Sequence, residues 1–287
     1  MTIAPGRPQP HELADVLAVL RDWQHEGAPM QLHPGDLGWY QRFGADEAAA
    51  SVRTWTRDGR TLAVGLLDGP DLLRLTTAPE VRRDRDLAAR MADDITDPAR
   101  GVLPAGKVNV EAPADFVLQD VLPGHGWITD EPWTPLRRDL TDPVEDPGLR
   151  IETAGPDLVS ERTAVHRAAF EKSTFTDERW HAMASGPAYA DARCLIAYDG
   201  NGTAVAAVTV WSAGPGRPGL LEPMGVHRDH RRLGHGRAIT LAAAAALRDL
   251  GASSALVCTP SDNPGAVAAY ESAGFKARPE VRDLARP

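Results

Sequence analysis

The chain has 287 residues, enough for one large domain or two ordinary ones, and is 43% hydrophobic, 25% charged and 6% aromatic, an ordinary globular balance. Its formal net charge of −9 argues against a general nucleic-acid binder. Two distant cysteines, Cys194 and Cys258, form no disulfide framework, the first residues lack an apolar signal core, and the apolar run Ala238 to Leu247 is shorter than the about 20 residues that span a bilayer, so a cytoplasmic protein with no membrane partner is expected.

Leu13, Val16, Leu17, Leu20 and Trp23 recur at helical spacing and predict a helix over 10–27. "SVRTWTRDGRTLAVGLLDGPDLLRLTTAP" predicts three strands, with turns at Asp58-Gly59 and Asp68-Gly69. A polar helix follows from about Glu80 to Ile95, then the strand "KVNVEA", a helix near Ala114 to Leu122, and "GHGWITDEPWTPLRRDL". Pro143 and Pro147 among acidic residues mark a linker, 142–149, dividing a first domain over 1–141 from a second over 150–287. In the second, "LRIETA" predicts a strand, Asp157 to Glu171 a helix, and "RCLIAYDGNGTAVAAVTVW" a hairpin turning at Asp199-Gly200. The strand "GLLEPMGV", an alanine-rich helix, the strand "SALVCTP", a helix over 263–273 and "GFKARPEVRDL" complete it. The order of elements repeats between the halves, as in a duplicated α/β unit.

The most basic segment, "HRDHRRLGHGR", lies between a strand ending at Val226 and a helix starting near Arg237. A strand, a glycine turn and a helix start present unpaired amides and the positive end of the helix dipole. Glycine allows an anion close to the backbone, and Arg231, Arg232 and Arg237 add charge. That arrangement specifies a phosphate or pyrophosphate site. A Walker loop needs Gly-Lys-Ser/Thr where this chain has Gly-Arg-Ala, and a Rossmann fingerprint needs a third glycine where it has Ile239. A surface turn with solvated arginines is the plainer alternative.

Arg231-Arg232-Leu233-Gly234-His235-Gly236 resembles the Arg/Gln-x-x-Gly-x-Gly/Ala loop of the GNAT superfamily of N-acetyltransferases. "NPGAVAAYESAGF" resembles the same family's second signature through Asn263, Ala266, Tyr270, Gly274 and Phe275. The resemblance covers about Arg150 to Leu284; the first half shares only the order of elements and lacks the glycine pair. It implies two tandem GNAT-like α/β domains, each a mixed, mostly antiparallel central sheet flanked by helices, with the catalytic copy second. It further implies acetyl-CoA as co-substrate, held by the loop 231–237, by Asn263 and Ala266, and by the backbone of Met224, Gly225 and Val226 where two strands splay apart.

Transfer of an acetyl group to an amine needs a base, an acid, a polarised carbonyl and alignment of the two reactants. Glu222, the only acid in its strand, is the candidate base, and period-two alternation places it on one face with Met224 and Val226. Tyr270, two helical turns after Asn263, is the acid that the resemblance implies for the leaving thiolate. Asn263 is also a plausible helix N-cap. Phe170, Phe175 and Trp180 are candidates for an acceptor pocket, with Glu171 and Asp177 to attract an amine. Cys258 is expected to be a buried strand residue rather than a nucleophile, and positive charge around His227, His230 and His235 opposes a metal. The expected partner is a small-molecule amine, the expected state a monomer or homodimer. The competing readings are a non-catalytic acyl-CoA sensor and an ATP- or NAD-binding protein.

Overall fold

A computed structural model describes residues 2–287. In chain order its first elements are β1 (Ala4–Gly6), α1 (Leu13–Asp22), α2 (Pro34–Tyr40), α3 (Ala45–Ser51), β2 (Val52–Arg57), β3 (Arg60–Leu67) and β4 (Leu72–Thr77). Then come α4 (Arg85–Thr96), β5 (Val108–Glu111), α5 (Leu118–Val121) and β6 (Ile128–Asp139). The remainder is β7 (Arg150–Thr153), α6 (Val159–Ala169), α7 (Asp177–Ala184), β8 (Ala192–Tyr198), β9 (Ala204–Trp211), β10 (Gly219–Val226), α8 (His235–Asp249), β11 (Ser254–Pro260), α9 (Pro264–Ser272), β12 (Lys276–Ala277) and β13 (Val281–Arg286). The predicted strands form where the alternation lies. The predicted helix over Ala114 to Leu122 shrinks to α5, because Pro123 and Gly126, the latter at φ 84°, break it into a turn. The short helix α2, entirely buried, has no counterpart in the sequence reading.

The chain divides into two units that are not contiguous in sequence. Unit 1 comprises residues up to His33, Ala45–Trp133 and Glu280–Pro287; unit 2 comprises Pro34–Gly44 and Thr134–Pro279. The segment 142–149, expected to separate two domains, therefore lies wholly inside unit 2, and each unit takes a piece from the far side of it. In unit 1 the strands β1, β2, β3 and β4 run antiparallel, β4 pairs parallel with β5, and β13 lies antiparallel between β5 and the first half of β6. The turn at Asp58-Gly59 puts both residues at positive φ, as a two-residue hairpin of this hand requires. The unit's core gathers Trp55, Leu73, Leu75, Leu87, Met91 and Phe116.

In unit 2, β7, β8, β9 and β10 are antiparallel neighbours, β10 pairs parallel with β11, and β11 adjoins the second half of β6. Helix α8 lays its alanine face on the core with Val208, Val210, Leu221 and Val257. Alanine keeps the helix thin, so it approaches the sheet closely, and Gly251 at φ 81° ends it. Among the described residues no helix is long and apolar enough to cross a membrane.

Candidate active site

Two strands of unit 2 part at the centre of the sheet. Parallel pairing of β10 with β11 is confined to Gly219↔Ala255 and Leu220↔Leu256. Beyond it β10 stays paired only with β9. The His227 amide donates to Val205 O at 2.9 Å, continuing the β9–β10 register. By alternation Gly225 faces β9, while the amides and carbonyls of Met224 and Val226 face the gap. An extended ligand there gains a strand's hydrogen bonds.

The parting begins at a β-bulge. Leu221 pairs with Val210 and Met224 with Val208, so Glu222 and Pro223 together oppose the single residue Thr209. This corrects the expected alternation. Leu221, Met224 and Val226 all pack with the α8 core, which strict period two forbids, and Glu222 does not share their face by register. The bulge is fixed from behind by Trp211, whose Nε1 donates to Glu222 O at 2.6 Å. Helix α2 lies on that tryptophan: a Cβ on Gly35 or Gly38 would sit 2.5–2.6 Å from Trp211 side-chain atoms. Gly225 is required for the same reason on α6, since a Cβ there would lie 2.6 Å from Ala169 Cβ.

After β10 the chain turns through residues 227–234, with Arg232 at φ 66° and Gly234 at φ 84°. Gly234 is the N-cap of α8 and supplies no side-chain cap; the first backbone bond is Ala238 N to Gly234 O at 3.1 Å. The amides of His235, Gly236 and Arg237 are thus open at the positive end of a 15-residue helix. The arginines divide. Arg231 Nη2 donates to Ala169 O at 2.8 Å and Arg237 Nε to Ser272 O at 2.9 Å, so they clamp the ends of α6 and α9. Arg232 is exposed, and Leu233 is the most exposed large apolar side chain among the described residues, at 65%. His235 is buried, its pKa lowered by burial and His230.

Asn263 caps α9, its Oδ1 accepting from Ala266 N at 3.2 Å. One turn beyond Ala266 the helix places Tyr270, 5% exposed, beside the ring of Phe275. Burial raises the Tyr270 pKa, and both the Glu222 carboxylate and the Cys258 thiol act in the same direction. The charge of Glu222 is thus felt at Tyr270; Cys258 was expected to be a buried strand residue. It is only partly buried, and its charge also acts on Tyr270.

The proposed acceptor residues have separate fates. Phe175 is 2% exposed and stacks on Trp39 with ring centroids 5.2 Å apart; His166 contacts both. Phe170, 38% exposed, lies over His166 at 4.8 Å. Trp180 is buried edge-on to Tyr189. Asp177 is held by Ser160 at 2.6 Å. Burial, with the charges of Arg162 and Arg42, lowers the His166 pKa to about 3 and keeps it neutral. Trp39 and Arg42, from the first half of the chain, were not identified from sequence, since only long-range folding carries them to unit 2.

Unit 1 has the same parting, already filled. Past Arg74↔Glu111, the Leu75 carbonyl accepts from Leu32 N at 3.3 Å, and Gln31 Oε1 accepts from Thr76 Oγ1 at 2.8 Å. At the start of α4 an aspartate replaces the glycine: Asp84 Oδ1 accepts from Leu87 N at 3.0 Å and Oδ2 from Arg57 at 3.0 Å. Burial opposes ionisation of Asp84, but these bonds outweigh it and hold the pKa down. A carboxylate of the chain occupies the place open to an anion in unit 2.

Residues 156–275 match the model of the acetyltransferase (GNAT) family. Nothing matches among curated proteins. Among solved structures, a tandem GNAT protein from the clavulanic acid biosynthesis pathway is similar over 99% of this chain and 98% of its own, at 15% identity and TM-score 0.62. A GCN5-related N-acetyltransferase from Sphaerobacter thermophilus is similar over 99% and 95%, at 20% identity and TM-score 0.59. A GNAT-family acetyltransferase from Colwellia psychrerythraea is similar over 99% and 98%, at 15% identity and TM-score 0.61. The fold is therefore the tandem GNAT fold, a mixed, mostly antiparallel sheet flanked by helices in each copy.

Proposed function

We propose that the protein is an acetyl-CoA-dependent N-acetyltransferase that moves an acetyl group directly to a primary amine of a small molecule, using unit 2 alone. The parting of β10 from β11 beside an uncapped α8 carries this reading. The open amides 235–237 suit a pyrophosphate, and the backbone of Met224 and Val226 suits a pantetheine arm. Acetyl-CoA would supply the activated acyl group. An amide of β10 polarises the acyl oxygen, Glu222 takes the proton that the ammonium must lose, and Tyr270, kept protonated by its surroundings, gives one to the departing sulfur. Unit 1 binds no second molecule, since Leu32 and Asp84 fill the equivalent places.

Titration calorimetry with acetyl-CoA, ATP and NAD, followed by thiol release against an amine panel, tests this. One acetyl-CoA per chain and turnover with at least one amine are expected. Binding without turnover of any amine would make the protein a sensor, and preference for ATP or NAD would refute the reading.

A further inference from the structure

Arg162 is a buried cation without a counter-ion. It is 1% exposed. Its Nε donates to Cys194 Sγ at 3.3 Å and its Nη2 to Thr209 Oγ1 at 3.2 Å, both neutral acceptors. Nη1 is buried and has no partner among the described residues. The guanidinium carbon lies 4.3 Å from the centre of the Phe175 ring and 5.7 Å from that of Trp39. Arg42 is stacked on the other residues of this aromatic cluster, 4.2 Å from the Trp39 ring, and His166 between them is neutral. Two arginines thus lie against this cluster, inside a protein of net charge −9.

An arginine is never deprotonated to relieve burial, and a buried charge is ordinarily paired. Its position matters as much as its charge. Thr209, to which it donates, is the residue opposite the Glu222–Pro223 bulge, one strand spacing of about 4.8 Å away. Arg162 and His166 lie one turn apart on one face of α6, and half-exposed Phe170, the C-cap just past its end, packs on His166 and lies beside Gly225.

We propose that Arg162 is a substrate-binding residue that takes a carboxylate of the acceptor, so that the acceptor class is a small amino acid rather than a simple amine. The planar fork Nη1–Nη2 suits a carboxylate. With the carboxylate there and the amine at Glu222, the two groups are separated by a short chain, and movement of the Phe170 ring admits the molecule. The inference rests on the acetyl-transfer reading above and narrows its acceptor.

The test uses matched acceptors: α-, β- and γ-amino acids, each beside its neutral amide and its decarboxylated amine. Thiol release measures turnover, and tryptophan emission, reporting on Trp39, measures binding whether or not turnover follows. Wild type is expected to favour acids over amides at least tenfold in kcat/KM and in binding. Arg162→Gln is expected to remove that preference while acetyl-CoA affinity stays within twofold. Equal use and equal binding of acids and amides by wild type overturn the proposal, even if the variant does not fold. Acid-selective binding without turnover of any amine leaves the carboxylate site standing and refutes the acetyl-transfer reading instead.

Discussion

In the proposed transfer Tyr270 and Glu222, two residues of ordinary chemistry, take opposite tasks. Tyr270 is buried and sits near a carboxylate and a thiol, all of which raise its pKa, so it remains a proton donor throughout the working range. Tyr270→Phe is expected to lower kcat about 10²–10⁴-fold while the acetyl-CoA dissociation constant, read by calorimetry, barely moves; the hydroxyl then acts in the transition state rather than the ground state. Full turnover of the variant would assign Tyr270 to packing against Phe275. In the proposed reaction Glu222 takes a proton from an acceptor amine whose pKa is near that of lysine, about 10. Glu222→Gln is expected to be slow near neutrality and to recover as the pH approaches that value, where free amine is abundant. A pH–rate profile that overlays wild type would point to a water relay.

The two helix starts, α8 and α4, differ at the element scale by one choice of cap. Gly234 leaves α8 open; Asp84 closes α4. The glycines of the loop are not equivalent. Gly234 holds φ 84° in open space, so Gly234→Val strains the turn, whereas a Cβ on Gly236 would only touch Ala269 at 3.4 Å, between α8 and α9, and fill the space above the amides. Acetyl-CoA affinity is therefore expected to fall at least tenfold in both variants, but the melting temperature chiefly in Gly234→Val, where a β-branched residue would have to hold positive φ; unchanged affinity in the double variant would remove the loop from the binding site. The loop and the α9 signature were legible in sequence because their requirements are local: amides, glycines and a capping asparagine. The bulge at Glu222–Pro223 was not, since one extra residue is visible only against its partner strand. Helix α2 was not legible either. Its glycines answer to Trp211, which lies far along the chain, and no periodicity within "PGDLGWY" announces that contact.

The whole molecule carries two buried groups with opposite pH demands, one in each unit. Asp283 has its pKa raised to about 7 by burial, with Glu111 and Asp130 adding to it and Arg74 opposing. A raised carboxyl favours the folded state when protonated, so stability is lost as pH rises from about 4 through 7. His166, lowered to about 3, works the other way: the unfolded chain binds its proton first, and stability falls as pH drops below about 6.5. Asp283→Asn is expected to melt higher than wild type at pH 8 and equally at pH 4. His166→Gln is expected to flatten the acid limb between pH 6 and 4. Melting curves that shift in parallel at every pH would deny both titrations.

The interleaving of the two units sets an order of events during synthesis. Strand β13 lies between β5 and β6 and completes the sheet of unit 1, yet every residue of unit 2 is translated before it. On the ribosome, unit 2 can assemble as soon as α9 and β12 emerge, with α2 already waiting. Unit 1, although most of it is made first, holds a sheet with a missing interior strand until residues 281–286 appear, and exposes two unpaired edges meanwhile. The part of the chain that is synthesised earliest is thus the part that finishes folding last.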